Sequence, residues 1–284
     1  MPRRFFPSVG GKLSVLPNSK DYKIGSAGGG GGGGCDITAG DNLNHWWKLN
    51  TGDVSATDEG TTLVTRRNLT LNNVTTATNG NHTSTEDVNI FNGTSAYAQS
   101  GNLVSDFASI ASCVFSVSFW VKLTATPATN DFLCQINQNG GWSNGWGVLF
   151  GGTPQEIRFY TGQNSGNQYA SIASPSVDTW TNIVCTYDFN SDPKVRMIYK
   201  DGVAGTNIAT YNAWGGDACG GVTQRAGALY FGIGSAMYGA TPTTFAGIGY
   251  YTECELSDFR IYDICLTEEQ VQNIYCEGSG DTWP

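Results

Sequence analysis

The sequence predicts an all-β sandwich closed by one short helix. Three observations predict it. Only 14% of the 284 residues are charged while 12% are aromatic, a balance that suits strands joined by polar turns. The apolar residues fall in short runs that alternate with polar ones, the two-residue period of a half-buried strand. Gly, Asn and Asp punctuate these runs, and a single segment carries a helix-start signature.

In chain order, residues 1–35 show no sustained periodicity, contain Pro2, Pro7 and Pro17, and end in Gly28–Gly34 followed by Cys35. They read as an extended arm with a polyglycine linker. The glycine run is no phosphate-binding loop, because no Lys-Ser/Thr pair closes it. Residues 36–284 form the folded domain. HWWKLN (45–50) reads as its first strand, with Trp47 and Leu49 on one face, and His45 reads as a strand-edge residue. Residues 51–88 are polar and turn-rich, with weak strands at TTLVT and NLTLNNVTT, and His82 falls in a loop. VNIFNGTSAYAQS is a strand, a turn at Asn92-Gly93 and a second strand.

The centre is the clearest part. FSVSFWVKLTA (115–125) puts Phe115, Val117, Phe119 and Val121 on one face and Ser116, Ser118, Trp120 and Lys122 on the other. DFLCQIN, WGVLFGG and EIRFYTG are further strands, and Trp146 reads as core. TWTNIVCTYDF (179–189) alternates Ile183, Cys185 and Tyr187 against Val184 and Thr186. KVRMIYKDGV carries Asp201-Gly202 at a hairpin turn, and ALYFGIGS is another strand. In ECELSDFRIYD, alternation places Glu253 and Glu255 on one face and Asp258 on the opposite one. LTEEQVQNIY (266–275) is the helix: Thr267 and Gln270 form a capping box, with Leu266 and Val271 as its hydrophobic staple.

These segments resemble the laminin-G-like family of concanavalin A-like jelly rolls. FSVSFWVKL, TWTNIVCTYDF with VRMIYKDGV, LYFGIGS and ELSDFRIYDICLTEEQVQNIY match its aromatic-rich strands and its "RIY" finish. The resemblance covers about residues 44–276 and is most specific at the C-terminal end. It departs at Cys254, where a glycine is usual, and in the polar insert at 51–88. It implies two curved antiparallel sheets with loops gathered at the rim, and binding or scaffolding far more often than catalysis. Family members occur in adhesins, secreted carbohydrate-binding proteins and bacteriophage virion proteins, so fold alone does not choose among them. In the wider group an aspartate at the start of the last strand often joins a structural calcium (Ca2+) site. Asp258 stands at that position, the alternative being that it caps a turn or pairs with Arg260.

For glycan binding the needed feature is an exposed aromatic ring, and Trp142 and Trp214, both in Gly-rich loops, are the candidates. Related glucanases carry alternating acids on one strand; the nearest cluster here, Glu253, Glu255 and Asp258, lacks their common face, so no catalytic residue is assigned and the chain reads as a non-enzyme.

Charge is uneven. Residues 1–24 hold Arg3, Arg4, Lys12, Lys20 and Lys23 against Asp21, a balance of +4, and the remainder carries −13. The arm therefore reads as a docking segment for a negatively charged surface, against the alternative of a solvated tail. The acidic body disfavours nucleic acid. No apolar run reaches the roughly 18 residues of a membrane span, so no membrane insertion is expected. The N-terminus lacks the apolar core of a secretion signal. On that basis the eight cysteines read as small buried apolar residues in the main, with a pair or two oxidised after release, and the Asn-X-Ser/Thr sequons as unmodified. The expectation is a phage virion structural protein, a multicopy or homo-oligomeric capsid decoration or tail-surface protein. It is assembled in the host cytoplasm and held to other virion proteins by its arm. The rivals are an extracellular lectin and, less favoured, a glycoside hydrolase.

Overall fold

A computed structural model describes residues 42–60, 67–78, 80, 82–83, 86–100, 114–137, 145–161, 169–188, 190–191, 195–205, 230–241 and 244–279. The docking-arm residues Arg3, Arg4, Lys12, Lys20 and Lys23 lie outside them, as do Trp142 and Trp214. In chain order the strands are β1 (Leu43–Trp47), β2 (Ser55–Ala56), β3 (Leu69–Asn72), β4 (Thr75–Ala77), β5 (Val88–Asn92) and β6 (Tyr97–Ser100). There follow β7 (Val114–Leu123), β8 (Phe132–Asn137), β9 (Gly145–Gly151), β10 (Glu156–Thr161), β11 (Tyr169–Ala173) and β12 (Trp180–Asp188). The last are β13 (Val195–Lys200), β14 (Val203–Ala204), β15 (Tyr230–Ile233), β16 (Ala236–Thr241), β17 (Thr244–Gly249) and β18 (Glu253–Tyr262), before helix α1 (Glu268–Ser279).

Among the described residues these make two eight-stranded sheets and a hairpin. The first sheet runs β14-β13-β12-β7-β18-β5-β4, with β1 also paired to β18; the second runs β11-β10-β9-β8-β15-β6-β3-β2. β16 and β17 form the hairpin. Of the strands that end the two sheet paths, β14, β4 and β2 are only two or three residues long.

The alternation read in β7 and β12 places their inner faces in the core. Phe115, Val117, Phe119 and Val121, with Ile183, Cys185 and Tyr187, pack with Val148, Phe150, Ile157 and Phe159 of the second sheet. Phe119 stacks on Phe259 with ring centres 5.3 Å apart, and Trp47 stacks on Phe231 at the same distance. Each such ring withdrawn from water contributes about 1.5–3 kcal/mol. Cys134, Cys185 and Cys254 sit in this core, and burial pushes their thiols well above the ordinary range. They pack as small apolar residues. Cys35, Cys113 and Cys219 lie outside the described residues.

Asp201 and Gly202 both adopt positive φ, 51° and 75°, and turn β13 into β14 as expected. The turn at Asn92-Gly93 does something the sequence does not reveal. β5 belongs to the first sheet and β6 to the second, so this turn is a corner between sheets. The Asn92 side-chain oxygen accepts the amides of Thr94, Ser95 and Ala96 and fixes it.

β18 contains a bulge. Its pairing with β7 shifts between Ser257 and Arg260, Asp258 takes a positive φ of 58°, and its amide donates to the Lys48 carbonyl. Cys254 and Leu256 point into the core before the bulge, Phe259 and Ile261 after it. Asp258 is thereby turned to the outer face, correcting the opposite orientation that strict alternation predicts.

His45 also departs from expectation. It is fully buried, with its ring stacked on Trp47 and its Nδ1 2.6 Å from Asp58 Oδ2. Asp58, equally buried, accepts the amides of Trp46, Gly60 and Arg67 as well. Burial pushes the Asp58 carboxyl up, but the His45 and backbone hydrogen bonds outweigh it and hold the carboxyl below its ordinary value. The polar insert is therefore tied to β1 through one ionised aspartate.

α1 lies on the outer face of the first sheet. Leu266, Val271 and Ile274 pack against Leu43, Val184, Tyr199 and Tyr262. The capping box is present: the Gln270 amide donates to Thr267 Oγ1, and the Thr267 amide donates to Gln270 Oε1.

Candidate functional site

EIRFYT in β10 alternates strictly, burying Ile157 and Phe159 and leaving Glu156, Arg158 and Tyr160 half-buried on the outer face of the second sheet. Register aligns this face with its neighbours. Tyr160 lies opposite Gly147 of β9 and Tyr169 of β11; Arg158 lies opposite Leu149 and Ser171. Glu156 lies opposite Gly151 and Ala173.

The side chains form one connected group. Arg158 Nε donates to Glu156 Oε1 at 2.6 Å, and the guanidinium carbon stands 4.4 Å from the centre of the Tyr169 ring. Tyr160 and Tyr169 are 5.0 Å apart and tilted by 47°. Gly151 makes room for this: a Cβ there would fall 2.8–2.9 Å from three atoms of the guanidinium. Burial draws the Arg158 pKa down, but hydrogen bonds to Glu156 and Tyr160 outweigh it and hold it above its usual value. Burial raises the Tyr160 phenol, which stays a hydrogen-bond donor at neutral pH. Beside the group, the β9–β10 turn and β11 enclose a cleft of about 340 Å³ lined by Gly152, Thr153, Pro154, Gln155, Glu156 and Arg158 among others. That volume is within the range of small-ligand sites. Tilted phenol rings, a fixed guanidinium donor and a carboxylate acceptor can stack on an apolar sugar face and bond its hydroxyls.

The sequence reading missed this group because it sought tryptophans in Gly-rich loops. The signal was present in the alternation of EIRFYT, whose outer residues are an acid, a base and an aromatic. Trp142 and Trp214 themselves lie outside the described residues. Asn137 and Gly145, which flank the segment of Trp142, pair with each other; Tyr230, at the start of the strand after the segment of Trp214, pairs with Asn137. Thr161, next to Tyr160, lies opposite Trp146 at that same end, and Trp146 is core as expected.

Asp258 is placed elsewhere, on the outer face of the first sheet. One oxygen accepts the Trp46 indole N–H and the Arg260 Nε, and the other is 2.8 Å from Arg260 Nη2. A guanidinium stands where calcium would need a shell of oxygens, so the residues there do not fit that ion. Among the described residues no group of three His, Cys, Asp or Glu side chains could hold a metal. The bulge brings Asp258 onto the face of Glu253 and Glu255, but Glu255 pairs with Lys122 at 2.6 Å.

Residues 92–272 match the Laminin_G_3 family model, described as the concanavalin A-like lectin/glucanases superfamily. The chain belongs to this superfamily. No curated protein sequence matches it. Among solved structures this jelly roll is similar to domain 4 of AbnA, a GH43 extracellular arabinanase from Geobacillus stearothermophilus, in complex with arabinotriose. The TM-score is 0.52 at 16% identity, over 82% of this chain and 98% of that one. It is similar to the botulinum neurotoxin serotype D/C VPI 5993 binding domain (TM-score 0.54, 11% identity, 85% of this chain and 53% of that one). Trypanosoma rangeli sialidase in complex with sialic acid is a third (TM-score 0.53, 13% identity), and there the match spans 82% of this chain but only 32% of the sialidase. At these identities the likeness is one of fold.

Proposed function

We propose that this jelly roll is a non-enzymatic carbohydrate-binding module whose glycan lies across Arg158, Tyr160 and Tyr169 on the outer face of the second sheet. The observation that carries the reading is the Glu156–Arg158–Tyr160–Tyr169 group, half-exposed beside a cleft of monosaccharide size. The AbnA domain in complex with arabinotriose supports it as an example of the fold with a bound sugar. A glycan array probed with the whole chain is expected to give hits, and Tyr169→Ala to weaken the best one at least tenfold, equivalent to about 1.4 kcal/mol. Circular dichroism unchanged in the variant separates this from misfolding. An array without hits, or a Tyr169→Ala protein that binds as before, would overturn the assignment. Release of reducing sugar from a bound glycan would overturn the non-enzymatic part.

The finer reading is that the module is displayed on a tailed-phage virion, with the rival of an extracellular lectin. What favours display is the charge balance of the sequence, +4 over residues 1–24 against −13 over the remainder, the asymmetry suited to docking on a negatively charged surface. Removing residues 1–34 is expected to abolish incorporation into particles while leaving glycan binding intact. Normal incorporation of the truncated chain would count against the docking role.

A further inference from the structure

At the end of β10 remote from the tyrosines, the β9–β10 turn gathers three polar atoms around one point. A Cβ added to Gly152 would stand 3.0 Å from Arg158 Nη2, from Glu156 Oε1 and from the Pro154 carbonyl oxygen. Gly152 has a positive φ of 79°, a conformation that favours glycine, so the chain puts no side chain of its own there. The two charged groups are held without being used up. Glu156 takes Arg158 Nε through Oε1 at 2.6 Å, and the side chains stay 23% and 20% exposed. A guanidinium carries five N–H donors and a carboxylate about four lone pairs, so the pair keeps capacity for a ligand. The turn itself is fixed from both sides. The Gln155 side chain donates to the Pro127 carbonyl, and the Gln155 carbonyl accepts the Ser174 amide. Binding there orders little that is not already ordered, which preserves affinity.

We propose that this turn is the specificity end of the glycan site, and that Glu156 and Arg158 read two hydroxyls on adjacent carbons of a neutral sugar. The inference rests on the glycan-binding reading above and names what that site selects. One hydroxyl accepts from Arg158 Nη2 while its neighbour donates to the Glu156 carboxylate, and the Pro154 carbonyl accepts from a further donor. Gauche hydroxyls on adjacent ring carbons lie about one hydrogen-bond length apart. That matches the spacing of the bonded nitrogen and oxygen of Arg158 and Glu156.

Charge selects against an acidic sugar. Glu156 already neutralises Arg158, and a ligand carboxylate would stand beside the Glu156 carboxylate. Lys200 on β13 donates to the Ala173 carbonyl at the rim of the cleft instead of joining the pair. Glu156 and Tyr160 are four residues apart on one strand, about 13 Å between Cα atoms. The hydroxyl-reading end and the tyrosine rings therefore engage different sugar residues of one glycan.

The probes are neutral disaccharides of glucose, galactose, mannose and arabinose, with glucuronic acid and sialic acid as charged controls. Each is titrated into the whole chain while nuclear magnetic resonance follows the Arg158 Nε–H. A neutral disaccharide is expected to bind tightest and to shift that signal. Removing either hydroxyl of one adjacent pair should weaken it about tenfold. Glu156→Gln should weaken the parent sugar by a similar factor and the deoxy analogue hardly at all, a coupling that a merely structural glutamate would not show. Arg158→Lys keeps the charge, loses the fork and should behave likewise. Binding that Tyr169→Ala weakens but that neither deoxygenation nor Glu156→Gln changes would overturn this inference and leave the glycan site standing. Tighter binding of a charged control would overturn it as well. No binding by any probe would also overturn it, while the array decides the site itself.

Discussion

Replacing Asp58 with alanine is expected to destabilise the protein by about 3–5 kcal/mol, the scale set when several buried donors lose their acceptor at about 1–3 kcal/mol each. The figure follows from what the carboxylate holds. Among the described residues it accepts hydrogen bonds from His45 and from the amides of Trp46, Gly60 and Arg67, at a buried site. Alanine leaves all four donors buried without this acceptor. Asparagine fits the same space but presents an amide to a ring of donors, so Asp58→Asn should recover little. Urea unfolding reads the effect, and a loss under about 1 kcal/mol would show that the network is dispensable. The pH dependence has a definite sign. Because the folded carboxyl is held below its unfolded value, Asp58 contributes stability above the unfolded value of 3.8 that disappears as pH falls through the folded pKa. Asp58→Ala should therefore flatten the decline in stability on the acid side of about pH 4.

Deleting Asp258 is expected to prevent folding, whereas Asp258→Gly should fold. The bulge adds one residue to β18, and that residue lets both Cys254–Leu256 and Phe259–Ile261 face the core. Without it the strand beyond the deletion turns over, since a one-residue slip exchanges the faces. Phe259 and Ile261 would then leave a core in which Phe259 packs with Phe119, Trp47 and Phe231. Burying nothing in place of a phenylalanine costs about 3–5 kcal/mol by itself, and Arg260 would be driven inward. Glycine keeps the extra residue and adopts the positive φ without strain, losing only the contacts to Trp46 and Arg260. Expression, gel filtration and unfolding of the two variants make the comparison; a folded deletion protein would refute the account of the bulge.

Much of the sandwich is legible in residue order because it follows from periodicity. FSVSFWVKL and TNIVCTY sort their faces by alternation, and LTEEQV announces α1 by local hydrogen-bond chemistry, both readable within a few residues. What stayed hidden depends on contacts between distant segments. His45 gives no sign that its partner is Asp58, in an insert with weak periodicity. Asp258 follows alternation in the sequence and breaks it in the fold, because its amide bonds to Lys48, far away in the chain. Asn92-Gly93 carries the same turn chemistry whether it closes a hairpin or carries the chain between sheets. The Arg158–Tyr169 contact needs the register of two strands, which EIRFYT and the segment after it do not state separately.

The brevity of the outermost strands bears on how copies of this molecule behave together. β14, β4 and β2 offer two or three residues each, and Lys200 donates to the Ala173 carbonyl on the longer β11. At β14, β4 and β2 a second molecule finds too few open backbone groups in a row to extend the sheet. Crowded copies should therefore not grow into fibrils through these three edges.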